Sequence, residues 1–148
     1  MAHADELALR LWLRDAKGIR ERYGLTPQDV TRQAIERSVL AWAALVDGRV
    51  LGLFGVRVET IIGSAPATPW ILPSVDVARM KKTFWKASVA GLALMLEHYP
   101  HLEAICDADF RGSIEWMRRL NFKFTGGPYL IANSGGISFV KFALRKGP

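Results

Sequence analysis

The chain has 148 residues, half of them hydrophobic and 23% charged, with a formal net charge of +6. That apolar content excludes intrinsic disorder and predicts one globular domain over residues 1–148, with an N-terminal helical region at 1–24 and a core at 25–148. The longest apolar runs, Val39–Val46 and Val50–Val56, fall far short of the ~20 residues a membrane-spanning helix needs. The acids in MAHADELALR leave no export signal to read.

Asp5 to Tyr23 reads as helix, with Leu7, Leu9, Leu11, Trp12 and Leu13 apolar, Gly18 as a breaking point and Gly24 as its C-cap. Thr26-Pro27-Gln28-Asp29 is a helix start. The Thr26 hydroxyl can accept from the third helical residue, Pro27 suits the first position and Asp29 sits in the positive first turn. This helix is predicted to reach about Arg37 and to bury Val30, Ala34 and Ile35. Val39–Val46 and Arg49–Val58 flank Asp47-Gly48, a pair that favours a two-residue hairpin turn. Gly52 and Gly55 in the second strand predict close approach by another element or a bulge.

Thr60 to Pro69 reads as a loop and Trp70 to Val75 as a short strand, with Pro73 marking its edge or end. Asp76 to His98 is the longest predicted helix. Val77, Met80, Phe84, Ala87, Gly91 and Met95, with Trp85, Leu92 and Leu96, give it a wide buried face, and Pro100 stops it. Leu102 to Asp107 reads as a strand. Asp109 is placed to cap a helix to about Leu120, with Ile114, Met117 and Leu120 inward and Asn121 in the left-handed conformation at its end. Phe122–Ala132 and Gly136–Leu144 complete a second hairpin. Helices alternate with strands in the second half, so the order predicts an α/β (α+β) fold, a mixed sheet with helices on its faces.

Few residues carry recognisable chemistry. Cys106 is the one cysteine, so no internal disulfide forms, and in an apolar strand it reads as a small buried hydrophobe. His98 and His101 are separated by Pro100, and no metal site is expected. Asp107 and Asp109 read as turn and cap residues rather than an acid–base pair, and Ser113 and Ser134 have no His or Cys partner in a motif. From Arg118 onward there are six basic residues and no acid. Lys141, Arg145 and Lys146 in this stretch, and Trp70 with Ile71 in an apolar Pro-rich segment from Pro66 to Pro73, are the two candidate interaction surfaces. The interleaved basic and aromatic pattern of single-strand nucleic-acid binders is missing, so nucleic acid is not the favoured partner.

The segments VDGRVLGLFGV and CDADFRGSIEWMRRLNFKF, and the long helix that follows a short apolar strand, together resemble the GNAT N-acetyltransferase fold over about Thr26 to Arg145. The resemblance implies a mostly antiparallel mixed sheet flanked by helices, with the first strand reduced or missing. With PWILPSVDV, these segments are most similar to small GNAT-like proteins of tailed bacteriophages, of the internal virion type. Acetyl-CoA-binding members carry Gln/Arg-x-x-Gly-x-Gly/Ala ahead of the long helix, whose backbone amides face the pyrophosphate. The matching stretch here, Ser74 to Lys82, has no glycine and places Asp76 where a phosphate would bind. The family's general-acid tyrosine aligns with Met117, a thioether that donates no proton, and the motif's glycine with Asn121. Tyr99 and Tyr129 are the remaining candidates for that role.

The expectation is therefore a virion-associated or assembly protein, in a virion or host cytoplasm, with a degenerate GNAT-like fold. It would have no acetyltransferase activity, no catalytic residue and no cofactor. Its partners would be other virion proteins or its own copies, with no membrane. The alternative is a divergent acyl-CoA-dependent N-acetyltransferase that holds acetyl-CoA through Arg79, Lys81 and Lys82.

Overall fold

The computed structural model describes residues 26–58, 66–109, 111–130 and 138–147. The helix expected at Asp5–Tyr23, the question of a first strand and the turn expected at Asn133–Gly136 lie outside these residues. The elements in order are α1 (Pro27–Glu36), β1 (Ser38–Val46), β2 (Arg49–Val58), β3 (Ala67–Pro73), a 3-10 turn (Val75–Ala78), α2 (Lys81–His98), β4 (His101–Asp107), α3 (Arg111–Arg119), β5 (Lys123–Leu130) and β6 (Ser138–Arg145). The strands form one six-stranded sheet in the order β1-β2-β3-β4-β6-β5. β3 and β4 are parallel, joined at Ala67 opposite Leu102, whereas β1–β2, β4–β6 and β6–β5 are antiparallel. This is the predicted mixed α/β architecture. The described residues fall into two compact units, one of residues 26–57 with Trp70–Ala93 and the other of residues 58 and 66–69 with those from Leu94 onward.

In the first unit, α1 starts where the sequence places it: Thr26 Oγ1 accepts from the Asp29 amide at 3.2 Å. Its buried residues are Pro27 and Thr31, while Val30, Ala34 and Ile35 are half-buried. Thr31 is tolerated inside because its hydroxyl donates to the Pro27 carbonyl at 2.7 Å. Asp47 and Gly48 turn the β1–β2 hairpin with φ of 50° and 78°, the left-handed pair that a two-residue turn requires. β2 is the spine of this unit, with Val50, Leu51, Leu53, Phe54 and Val56 all buried. Phe54 stacks on Trp42 at 6.1 Å between ring centroids and lies 6.0 Å from Phe84 of α2.

Gly55 and Gly52 are sites of close approach, as the sequence predicts. A Cβ at Gly55 would fall inside the Trp70 indole, and one at Gly52 would meet the Leu72 carbonyl and Phe84, each at 3.2 Å. Trp70 lies within β3, which begins three residues earlier than predicted. Its Nε1–H donates to Ser38 Oγ at 2.7 Å, and Ser38 in turn donates to the Ala34 carbonyl. The candidate interface anchor is thus half-buried and hydrogen-bonded within its own unit.

In the second unit, Leu102, Ala104 and Cys106 of β4 lie opposite Leu144, Phe142 and Val140 of β6. Leu102, Ala104, Cys106, Phe142 and Val140 are buried, as are Met95, Leu120 and Phe122. Burial of a side chain the size of Phe142 contributes ~1.5–3 kcal/mol. Asn121 ends α3 with φ of 71°, and the Phe122 amide donates to the Met117 carbonyl at 3.0 Å, the expected left-handed close. α3 itself starts at Arg111, and the Asp109 amide donates to Asp107 Oδ1 at 3.0 Å. Among the described residues no helix is long and apolar enough to cross a membrane.

The contact between β2 and β3 leaves no room for a methyl group at Gly55. Gly55→Ala should cost ~1–3 kcal/mol in urea unfolding. The same change in a Trp70→Leu background should cost much less, because the obstructing ring is gone. Equal costs in both backgrounds would show that Trp70 does not set this constraint.

Candidate anion site at the start of the long helix

The helix predicted to begin at Asp76 begins at Lys81, and the difference reshapes the site. Ser74, fully buried, is held by its amide donating to the Leu51 carbonyl at 2.9 Å. Its Oγ accepts from the Asp76 amide at 3.3 Å and so caps a separate 3-10 turn. The Met80 amide closes that turn on the Asp76 and Val77 carbonyls, each at 3.1 Å, and the Met80 carbonyl then accepts from the Phe84 amide at 2.9 Å inside α2. Asp76 therefore does not cap the long helix. It sits one turn earlier, with its side chain 10% exposed.

Two arginines meet the Asp76 carboxylate. Oδ1 is 2.6 Å from Arg79 Nη2 and Oδ2 is 3.4 Å from Arg49 Nη2. The expected conflict between Asp76 and an anion at the helix start is removed in this way: a buried carboxylate requires positive partners, and here two supply them. The first turn of α2 contains no acid, and Lys81, Lys82 and Thr83 are exposed there. Ala78 to Thr83 line a concavity of about 430 Å3. A second of about 240 Å3 lies beside it, lined by Arg49, Asp76, Arg79 and Met80 with the hairpin residues Val46, Asp47, Val50 and Leu51. Arg79 and Met80 line both.

Arg79, Lys81 and Lys82, singled out from the sequence, are thus brought to one place. Their chemistry suits a phosphate-bearing ligand, with three cations beside the amides of an 18-residue helix. With no glycine from Ser74 to Thr83, close backbone approach is restricted and side chains would carry most of the contact. Arg49 was missed. It is 27 residues away in sequence, and only the hairpin turn brings it to Asp76.

No family model and no curated protein matches the sequence. Solved structures do match. The chain superposes on a GNAT-family acetyltransferase from Bacillus anthracis with a TM-score of 0.69 and 11% identity, covering 97% of this chain and 89% of that one. It superposes on a GCN5-related N-acetyltransferase from Brucella melitensis with a TM-score of 0.73 and 16% identity, over 97% and 71%. For an aminoglycoside 6′-acetyltransferase type Ii the values are 0.67 and 16%, over 99% and 92%.

The chain has the GNAT fold. The expectation of a phage virion or assembly protein is corrected by these matches: the three proteins are named acetyltransferases, and nothing in them supports a virion role. Within the GNAT frame, Met117 is half-buried on α3, and its thioether has no proton to give. Tyr129 on β5 packs 5.5 Å from Phe139, with Lys141 Nζ 5.7 Å from its ring centroid. Tyr99 follows α2, its amide donating to the Met95 carbonyl at 2.8 Å.

The C-terminal stretch is less uniformly basic than its sequence reads, because Lys141 Nζ lies 3.8 Å from Glu103 Oε1 of β4. Arg145 and Lys146 remain exposed, and Ile71 is half-buried in β3. Among the described residues no group of His, Cys, Asp and Glu side chains could hold a metal ion. Cys106 is buried, and that burial raises its thiol from 9.0 to about 11. It is therefore a poor nucleophile near neutral pH.

At pH 8 iodoacetamide should alkylate Cys106 in the native protein ~100-fold more slowly than in the urea-unfolded chain, the ratio of thiolate fractions. Because the thiol is the weaker acid when folded, its contribution to stability is full below pH 9.0 and falls as pH rises toward about 11. Equal alkylation rates in the two states would contradict this.

Proposed function

We propose that the chain is a divergent acyl-CoA-dependent N-acetyltransferase that holds the donor's phosphates at the start of α2 through Arg79, Lys81 and Lys82. One observation carries the reading: the helix start lacks glycine but gathers three cations around a concavity, and the nearby Asp76 is already met by two arginines. The likeness to named acetyltransferases over nearly the whole chain supports it. When bound, acyl-CoA would supply an activated thioester. The residues of this chain bind and orient: the lysines neutralise phosphate charge, Arg79 adds a forked donor, and the first-turn amides of α2 add the positive end of the helix. Met117 takes no part in proton transfer.

Titration calorimetry is the test. Acetyl-CoA should bind more tightly than ~100 µM, about −5.5 kcal/mol. Lys81→Ala and Lys82→Ala should each weaken binding several-fold, with the difference shrinking as salt is raised. Binding that is absent at millimolar ligand, or indifferent to both lysines, would overturn the reading.

A further inference from the structure

We propose that β1 pairs edge to edge with β1 of a second copy of this chain, antiparallel about a two-fold axis at Trp42, so that the two sheets join into one. The inference goes beyond the acyl-CoA reading and does not depend on it, because no part of it needs a donor.

The strand Ser38–Val46 reads SVLAWAALV, nine residues with no charge, no proline and no glycine. Such a run is expected of a strand covered on both faces. Among the described residues, however, β1 stands at one end of the sheet order and pairs with β2 alone. An edge strand presents unpaired N–H and C=O groups, and natural edges are blunted by charge, proline or bulges. β5, at the other end of the order, is blunted in this way. It begins at Lys123, contains Pro128 and has register shifts on both sides of Gly126. In β1 the shifts fall only near the ends, between Ser38 and Leu40 and between Ala44 and Leu45, so Leu40 to Ala44 stay in regular register. Val39 and Leu45 are 52% and 49% exposed, and Ala41 is exposed as well.

The residues themselves select a second copy as the occupant. Pairing centred on Trp42 puts Leu40 opposite the partner's Ala44, Ala41 opposite the partner's Ala43 and Val39 opposite the partner's Leu45. The two most exposed apolar side chains of the strand thus meet, once on each side of the axis. A strand without charge brings no like charges face to face when it meets itself. Just outside the strand the charges are complementary. Arg37 and Asp47 are both exposed and lie five residues to either side of Trp42, so each Arg37 falls toward the partner's Asp47. The next charges outward, Glu36 and Arg49, are also of opposite sign. Strand residues rise ~3.4 Å each, so the seam is about 30 Å long. With apolar side chains on both faces it buries on the order of 1,000 Å2 in total, the lower bound for a specific interface, and the dimer is therefore reversible. An isologous contact of this kind closes at two chains.

Sedimentation equilibrium of the full chain is the test. Wild type should be mostly monomer at ~1 µM and mostly dimer at ~200 µM, with nothing larger. Val39→Lys combined with Leu45→Lys should remain monomeric throughout, because like charges then face each other across the seam. Val39→Lys combined with Leu45→Glu should dimerise within about threefold of wild type, because opposite charges face each other. Both double variants alter the same two positions of the monomer, so a difference between them reports the register and not a loss of folding. Wild type that stays monomeric at the upper concentration, wild type that grows past the dimer, or double variants that behave alike, overturns the proposal. Where either double variant does not fold, hydrogen exchange of wild type decides. Amides within residues 38–46 should exchange at least about threefold more slowly at the upper concentration than at the lower, and equal rates overturn the proposal.

Discussion

A carboxylate buried at the foot of a long helix is the constraint around which this molecule's candidate site is organised. Asp76 is nearly inaccessible to solvent, and an ionised carboxylate in that position is strongly unfavourable unless cations meet it. Arg79 lies three residues on along the same turn, and Arg49 arrives from the hairpin. The cap on Ser74, the break between the 3-10 turn and α2, and the register of the β1–β2 turn all bear on where those three groups stand. The first turn of α2 itself contains no acid.

The sequence made legible those features governed by local backbone chemistry. Asp47-Gly48 specifies a turn with two left-handed residues, Thr26 accepts from its own helix, and Asn121 tolerates positive φ. Each effect acts within a few residues, so each can be read without knowing the fold. Gly55 was legible in kind, because a glycine in an apolar strand implies a neighbour at close range, but its partner Trp70 could not be named. What was not legible depends on tertiary choice. Ser74 and Asp76 are both good capping residues two positions apart, and the structure uses Ser74 because its amide is already tied to Leu51. The pairing of Lys141 with Glu103, 38 positions apart, required the β4–β6 register.

Function was misjudged for a related reason. A missing glycine motif reads as a lost site if the motif is taken as the only way to hold a phosphate. Glycines allow backbone approach, but Arg and Lys side chains supply charge and donors by another route. Asp76 looked adverse because its two partners were not visible together. The fold, shared with named acetyltransferases at 11–16% identity, persists where the loop sequence does not. Met117, half-buried on α3, offers no proton.

The most direct measurement is a backbone amide NMR titration of the folded protein with acetyl-CoA. A donor held by cations and helix amides at the start of α2 should produce saturable shifts centred on Arg79 to Thr83, with a smaller response at Arg49. Saturable shifts confined to residues 123–130 and 138–146, or none at all at millimolar ligand, would contradict the account.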